Sequence, residues 1–257
     1  MKELRLIDTF SGIGGFSYAA EKLVGGFKTV AFVECEPYCQ KVLKKHWPDV
    51  PIYDDIKTYK PEPYSASVVV GGFPCVDIST AGKGLGITKE TRSGLFHELM
   101  RVICLVRPRF IVLENVAAII SNGLGVVLGE LAQNGYDCEW CCFKASMLGA
   151  CHTRDRWWAI AYPNGFLMER SRESRQQIKQ DVCQERIFNW SYKRNMLSPE
   201  WRAYSSKPVL PRTDDGLRNR IHRVKALGNS VLPACAAIPL QRVKDLAILW
   251  KTRWVVL

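Results

Sequence analysis

An α/β fold with a mostly parallel sheet and helices on both faces is predicted by three features of this sequence. Short β-branched runs alternate with helix-spaced amphipathic segments through the first 163 residues. Several runs end in glycine or acidic residues, as strands do where they open into functional turns. At 257 residues and 47% hydrophobic composition, the chain can hold one large domain with a small insert.

The elements follow in order. Leu4-Arg5-Leu6-Ile7 is strand-like, and Phe16 to Val24 sets Phe16, Ala19, Ala20 and Leu23 on one helical face. Thr29 to Val33 is a second strand, and Pro37 opens a helix to about Lys45, since proline suits the first helical turn. Val68-Val69-Val70 is a third, buried strand that ends in Gly71-Gly72. Leu95 to Val106 reads as a helix stopped before Pro108, and Phe110 to Leu113 as a strand leading into Glu114-Asn115. A helix from about Leu124 to Gln133 ends at Gly135, and Tyr136 to Lys144 has the aromatic-rich look of a strand.

The character changes after Pro163. Residues 164–212 are polar and weakly periodic, with Arg170, Arg186, Lys193 and Arg194 interleaved with Trp190, Tyr192 and Trp201. A solvated excursion competes with a folded nucleic-acid contact region, and the aromatic content favours the latter. Arg218 to Lys225 is basic, Gly228-Asn229-Ser230 punctuates the chain, and a core-packing helix runs from Leu232 or Pro233 to Trp250. The division is therefore 1–163 as the main α/β domain, 164–212 as a small insert, and 213–257 as a segment returning to the main domain.

A net charge of +11 points to a polyanionic partner, nucleic acid before an anionic membrane surface. No export signal and no bilayer-length apolar stretch is present, so the ten cysteines are expected as reduced thiols. Cys138-Glu139-Trp140-Cys141 is a single C-x-x-C. Zinc sites of that type need two such pairs, so no metal is expected.

Chemistry is concentrated at the ends of the strands. Cys75 follows Gly71-Gly72-Phe73-Pro74, just past a strand's carboxyl end in a stiff turn, which makes it a candidate nucleophile. A glycine-rich stretch, Ala81 to Gly86, follows and suits a mobile loop. Asp8 to Phe16 joins the first strand to the first helix through Gly12, Gly14 and Gly15, so a ligand can approach the backbone there. Glu34 lies about 20 residues on, at the second strand's end, where a carboxylate can accept from ribose hydroxyls. Asp54 and Asp55 stand where a further strand could end. The loop departs from G-x-G-x-x-G, which disfavours an NAD-dependent oxidoreductase.

Five ordered segments together resemble the DNA cytosine-5 methyltransferase family. Asp8 to Gly15 is similar to its cofactor loop, Gly71 to Cys75 to its nucleophile motif, and Glu114-Asn115-Val116 to its catalytic motif. His152-Thr153-Arg154-Asp155-Arg156 resembles its two-arginine motif with His at the first position, and Gly228 to Val231 its last motif. The resemblance implies a Rossmann-like mostly parallel sheet with helices on both faces and a small irregular target-recognition insert. It implies S-adenosyl-L-methionine as methyl donor and a flipped cytosine in double-stranded DNA as acceptor.

The same resemblance implies individual roles. Cys75 adds to the base, Glu114 bonds its N3 and amine edge, and Arg154 and Arg156 bring positive charge, although Arg156 has the alternative of a structural carboxylate. Asn115 fixes the loop carrying Glu114. Phe10, Gly12, Gly14, Glu34, Asp55, Asn229 and Val231 surround the cofactor. The mobile loop Ile78 to Arg92 closes on the base, with Ser79, Lys83 and Arg92, and Arg194 in the insert, as DNA contacts. Cys35 stands where the family often has an aromatic beside the ribose acid. The short insert implies a short target sequence or a partner's help. A restriction-modification or phage setting is implied, with a cognate restriction endonuclease as possible partner and a cytoplasmic monomer as the expected form. An RNA cytosine methyltransferase and a non-catalytic DNA-binding relative are the rival readings.

Overall fold

The computed structural model describes residues 3–74, 94–150, 152–166 and 220–253. Among these, seven strands form one sheet: β1 (Leu4–Thr9), β2 (Phe27–Val33), β3 (Ile52–Tyr53), β4 (Val68–Gly72), β5 (Phe110–Val116), β6 (Tyr136–Lys144) and β7 (Asp155–Pro163). Their order is β3-β2-β1-β4-β5-β7-β6. The first five run parallel, and β7 is antiparallel to both β5 and β6. The mostly parallel α/β fold is thus as the sequence predicts. The chain leaves β1 toward β2 on one side, while β4 lies on the other. That reversal opens a crevice at the strands' carboxyl ends.

The helices are α1 (Gly15–Tyr18), which continues as a π-helical turn over Ala19–Val24, α2 (Pro37–His46), α3 (Leu95–Val106), α4 (Ile119–Asn122), α5 (Leu124–Gln133), α6 (Arg220–Asn229) and α7 (Pro233–Arg253). Strand side chains alternate between two cores, because successive residues point to opposite sides of a sheet. Ile7, Val69, Ile111 and Leu113 pack with Phe96, Leu99 and Ile103 of α3 and with Val127 and Leu131 of α5. Leu6, Val68, Val70 and Val112 pack on the other face with Phe16, Ala19 and Ala20, and with Leu240, Val243 and Leu246 of α7. Burying each such branched or aromatic side chain contributes about 1.5–3 kcal/mol. The rim of the crevice is therefore carried on a rigid base.

Two strands depart from the sequence expectation. Val68–Gly72 is the fourth strand, because Ile52 and Tyr53 pair with Phe32 and Val33. β7 is an element that the periodicity does not announce. Its run Trp157 to Tyr162 is buried on both faces, so it lacks the alternation of a half-exposed strand. The C-x-x-C lies on β6, whose Cys138 and Cys142 pack toward one core and Cys141 toward the other. Among the described residues no group of three or more histidine, cysteine or acidic side chains is placed to hold a metal ion. No helix of the described residues is long and apolar enough to cross a membrane.

Candidate active site

The carboxyl ends of β1 to β5 surround a cavity of about 580 Å³. Phe10 and Gly12 reach it from the turn after β1, Glu34 from the end of β2, and Asp55 from the turn after β3. Pro74 comes from the end of β4, Glu114 from β5, Arg154 and Arg156 from the start of β7, and Asn229 from the end of α6. Residues spread over more than 200 positions of sequence thus converge on one space. The volume lies within the range that small-molecule and cofactor sites occupy, about 300–1,000 Å³.

The turn after β1 is held open by unusual backbone. Phe10 has φ of +52° and Gly12 +54°, so the chain doubles back and presents its amides rather than running straight into α1. A Cβ added to Gly12 would find nothing nearer than Ser230 Cα at 4.0 Å, which leaves the backbone of this turn accessible. The Gly12 amide donates to Glu34 Oε2 at 2.7 Å, and the Glu36 amide donates to Oε1 at 2.8 Å. Both oxygens of Glu34, which is 9% exposed, are therefore positioned by main chain. Each retains lone-pair capacity for a further donor.

Glu114 is 8% exposed and held differently. Arg156 Nε lies 2.9 Å from Oε1, and the same guanidinium donates through Nη1 to the carbonyl of Asp155 at 2.8 Å. Burial pushes the Glu114 carboxyl above the usual carboxylate range, and Arg156 and then Arg154 oppose that rise without cancelling it. Glu114 pairs across the sheet with Gly72 on one side and Trp158 on the other. A Cβ on Gly72 would stand 3.0 Å from Glu114 Oε2, so the missing side chain makes room for that oxygen.

Asn115, only 1% exposed, donates from Nδ2 to the Phe73 carbonyl at 3.1 Å and accepts the Val116 amide at Oδ1 at 2.8 Å. It ties β5 to the backbone two residues before Cys75. The Phe73 ring also packs on Phe96 of α3 with centroids 5.0 Å apart. Arg154 donates from Nη1 to Gly228 O at 2.9 Å and from Nη2 to Ser230 O at 2.8 Å. This fork clamps the turn carrying Asn229 against β7, a role in addition to its charge.

Two of the residues expected around a cofactor border a neighbouring groove. Gly14, at φ +86°, and Val231 border an adjoining groove of about 1230 Å³ rather than the cavity itself. A Cβ on Gly14 would fall 2.6 Å from the Trp47 ring, and one on Gly15 would collide with the Val231 carbonyl. Both glycines therefore serve close packing of the turn. His152 borders the same groove. Cys75, Ser79, Lys83, Arg92 and Arg194 lie outside the described residues, as does the insert from residue 167 onward.

The sequence does not single out an ion pair at the cavity's edge. Lys225 Nζ of α6 meets Glu36 Oε2 at 2.7 Å, joining the C-terminal segment to the end of β2 across 189 positions. Lys225 is visible only as one of a basic run. Its partner is set by the way α6 lies beside α2.

A buried carboxylate with an arginine partner, a proline and several further carboxylates thus line one cavity. Residues 4–214 match the family model for C-5 cytosine-specific DNA methylases. The chain belongs to that family. Among its relatives is Type II methyltransferase M.CviJI of Paramecium bursaria Chlorella virus IL3A, 34% identical over 161 residues, covering 61% of this chain and 42% of that protein. Type II methyltransferase M.MspI of a Moraxella species is 31% identical over 166 residues, covering 63% of this chain and 39% of that one. The matched part thus spans about two fifths of these relatives.

Solved structures share the fold. A mutant of DNMT2 from Spodoptera frugiperda aligns with a TM-score of 0.53 at 20% identity, over 66% of this chain and 53% of that one. The methyltransferase EhMeth of Entamoeba histolytica aligns at 0.54 and 17%, over 65% and 55%.

Proposed function

We propose that this protein methylates carbon 5 of cytosine in double-stranded DNA, using S-adenosylmethionine as donor and a transient covalent bond from Cys75 to the base. The observation that carries this reading is the convergence, on one cavity, of Pro74 beside Cys75, the Glu114–Arg156 pair, and the Gly12–Glu34 turn. The residues present fit the donor. Glu34 has spare acceptor capacity for ribose hydroxyls, Asp55 borders the same space for the base amine, and the side-chain-free Gly12 admits close approach. Bound there, the donor supplies an electrophilic methyl group.

Carbon 5 of cytosine is a weak nucleophile. The Cys75 thiolate would add to carbon 6, shifting electron density to carbon 5, which could then take the methyl group as its bond to the donor sulfur breaks and S-adenosylhomocysteine leaves. Glu114 is the partner for the N3 edge. Its Oε1 is engaged by Arg156, so Oε2 is the oxygen free to hold a proton toward N3, and the raised pKa keeps that proton accessible. Arg156 keeps the carboxyl oriented. After methylation, carbon 5 gives up its proton to a base, the carbon–sulfur bond breaks, and the thiolate is released. The target must leave the helix stack to reach this crevice, at a cost of about a few kcal/mol.

In this reading residues 1–163 and 213–257 form the catalytic body, and 164–212 the target reader. Ser79, Lys83, Arg92 and Arg194 contact DNA. The protein acts as a monomer in the cytoplasm of a bacterial or phage-infected cell, in a restriction–modification setting with a cognate endonuclease. Duplex DNA carrying 5-fluorocytosine tests the chemistry, because fluorine blocks the final elimination. With cofactor present, the wild type is expected to give a denaturation-resistant adduct and Cys75→Ser none. No adduct with the wild type on DNA, or an adduct only on RNA of the same sequence, overturns the proposal.

A further inference from the structure

We infer that Arg101 is a positioning residue for the nucleoside end of this cavity, and through it a determinant of which purine the cavity prefers. The inference rests on the reading of the cavity as the S-adenosylmethionine site. Arg101 lies on α3, 46 positions after Asp55 in sequence, and among the described residues it is not part of the cavity lining. Its Nε meets Glu98 Oε2 at 2.7 Å. Its Nη1 donates to the Tyr59 carbonyl at 3.0 Å, and its Nη2 to the Lys57 carbonyl at 3.2 Å and to the Ile56 carbonyl. One guanidinium thus collects three carbonyls of a single turn.

That turn is the one that borders the cavity after β3. Its amide side is closed by Asp55, whose Oδ1 accepts the Lys57 amide at 2.9 Å and whose carbonyl accepts the Thr58 and Tyr59 amides at 3.2 and 3.0 Å. Its carbonyl side has no comparable partner in the turn itself, and Arg101 supplies one. Ile56 and Tyr59 are buried, and Asp55, Ile56 and Lys57 border the cavity. The turn has no ladder of its own, so its shape depends on these end-to-end bonds. A planar fork of five donors can satisfy several carbonyls and a carboxylate at once, whereas a lysine ammonium offers three donors from one point.

The consequence is selectivity rather than bare affinity. With Oδ1 committed to the Lys57 amide, Asp55 has Oδ2 to accept from a ligand. An acceptor there favours the 6-amine of adenine and disfavours the 6-carbonyl of hypoxanthine. Asp55 is exposed, so it discriminates in this way only while its carboxylate is held in place against the ligand. Loosening the carbonyl side of the turn lets Asp55 move. The preference then narrows, while the Glu114 side of the cavity keeps its geometry.

The test compares S-adenosylhomocysteine with S-inosylhomocysteine on the whole chain by calorimetry. The wild type is expected to prefer the adenosyl ligand. Arg101→Gln should weaken the adenosyl ligand about tenfold and leave the inosyl ligand nearly unchanged, with kcat at saturating donor within about threefold. Arg101→Lys should fall between the two. Glu98→Gln, which only frees the guanidinium's anchor, should shift the ratio in the same direction by less, and guards against an Arg101 variant that fails to fold. Equal weakening of both ligands in step with a lower melting temperature would mean that Arg101 merely holds the fold, and overturns the inference. A wild type that prefers the adenosyl ligand, with variants that keep the full preference, also overturns it while leaving the cofactor reading intact. A wild type that binds neither ligand overturns both.

Discussion

Glu34 and Glu114 occupy matching places, each at the carboxyl end of a parallel strand and each about nine-tenths buried. Their partners differ in kind. Glu34 takes one main-chain amide on each oxygen, from two turns whose positions the sheet fixes. Glu114 takes one side-chain guanidinium on one oxygen, and burial holds its pKa above the ordinary value despite two nearby arginines. Amides cannot be displaced or titrated, so the first arrangement suits a permanent acceptor. A single ion pair in a desolvated setting leaves the second carboxyl one oxygen and one proton to exchange. Under the proposed function, the same side chain at the same structural position would serve binding on one side of the crevice and chemistry on the other.

Two substitutions test that division directly. Glu114→Gln is expected to have the largest effect, a fall in kcat of about 10²–10³-fold, as when one donor to a developing charge is removed. Affinity for S-adenosylhomocysteine should stay within about twofold. Glu34→Gln should do the reverse, because an amide nitrogen would face a backbone N–H. The expected loss is about 10–100-fold in cofactor affinity, the scale of hydrogen bonds to a charged group, with kcat at saturating donor largely kept. If both variants lost binding and rate in the same proportion, the two sides of the crevice would not be functionally distinct.

Much of this contrast was legible in the sequence, for identifiable reasons. Glu34 stands at a fixed offset after a glycine turn, and Glu114 directly follows an apolar strand run, so each position is set by local pattern. Partners set by tertiary contact were not legible. Arg154 bonding the Gly228 and Ser230 carbonyls, and Lys225 meeting Glu36, join segments more than 70 positions apart. β7 was missed because burial on both faces removes the alternation that marks a strand. β3 was too short, at two residues, to show a period. The helix over Phe16 to Val24 was visible, whereas its change to a π turn at Ala19 has no mark in the apolar spacing.

A milder substitution sharpens the chemical side. Gly72→Ala would put a methyl group 3.0 Å from Glu114 Oε2, tighter than ordinary packing, so the carboxyl must shift a few tenths of an ångström. A kcat drop of about tenfold is expected, in keeping with the sensitivity of catalysis to small displacements. In the Glu114→Gln background the same change should cost little more, because groups acting as a unit are non-additive. Full additivity in this double-mutant cycle would separate Gly72 from the Glu114 oxygen.

The smallest effect concerns a third, fully buried carboxylate. Asp8 of β1 is fully buried, and its Oδ2 accepts the Ser17 amide at 3.2 Å and the Ser17 hydroxyl at 2.7 Å. Its Oδ1 has no hydrogen-bond partner among the described residues. Burial pushes its pKa up to about 7, the two Ser17 bonds oppose the shift, and the nearby Glu34 and Glu21 add to it. The folded protein therefore holds a proton that the unfolded chain has already lost between pH 4 and 7. The Asp8 contribution to stability is full at pH 4 and fades as pH rises to 7. Asp8→Asn cannot ionise, so urea unfolding should show a flatter fall from pH 5 to 7 than in the wild type, by on the order of 1 kcal/mol. An unchanged slope would mean that Ser17 alone carries the buried charge. Two amides, one guanidinium or one serine would then serve a buried carboxylate equally well, contrary to the distinction drawn between Glu34 and Glu114.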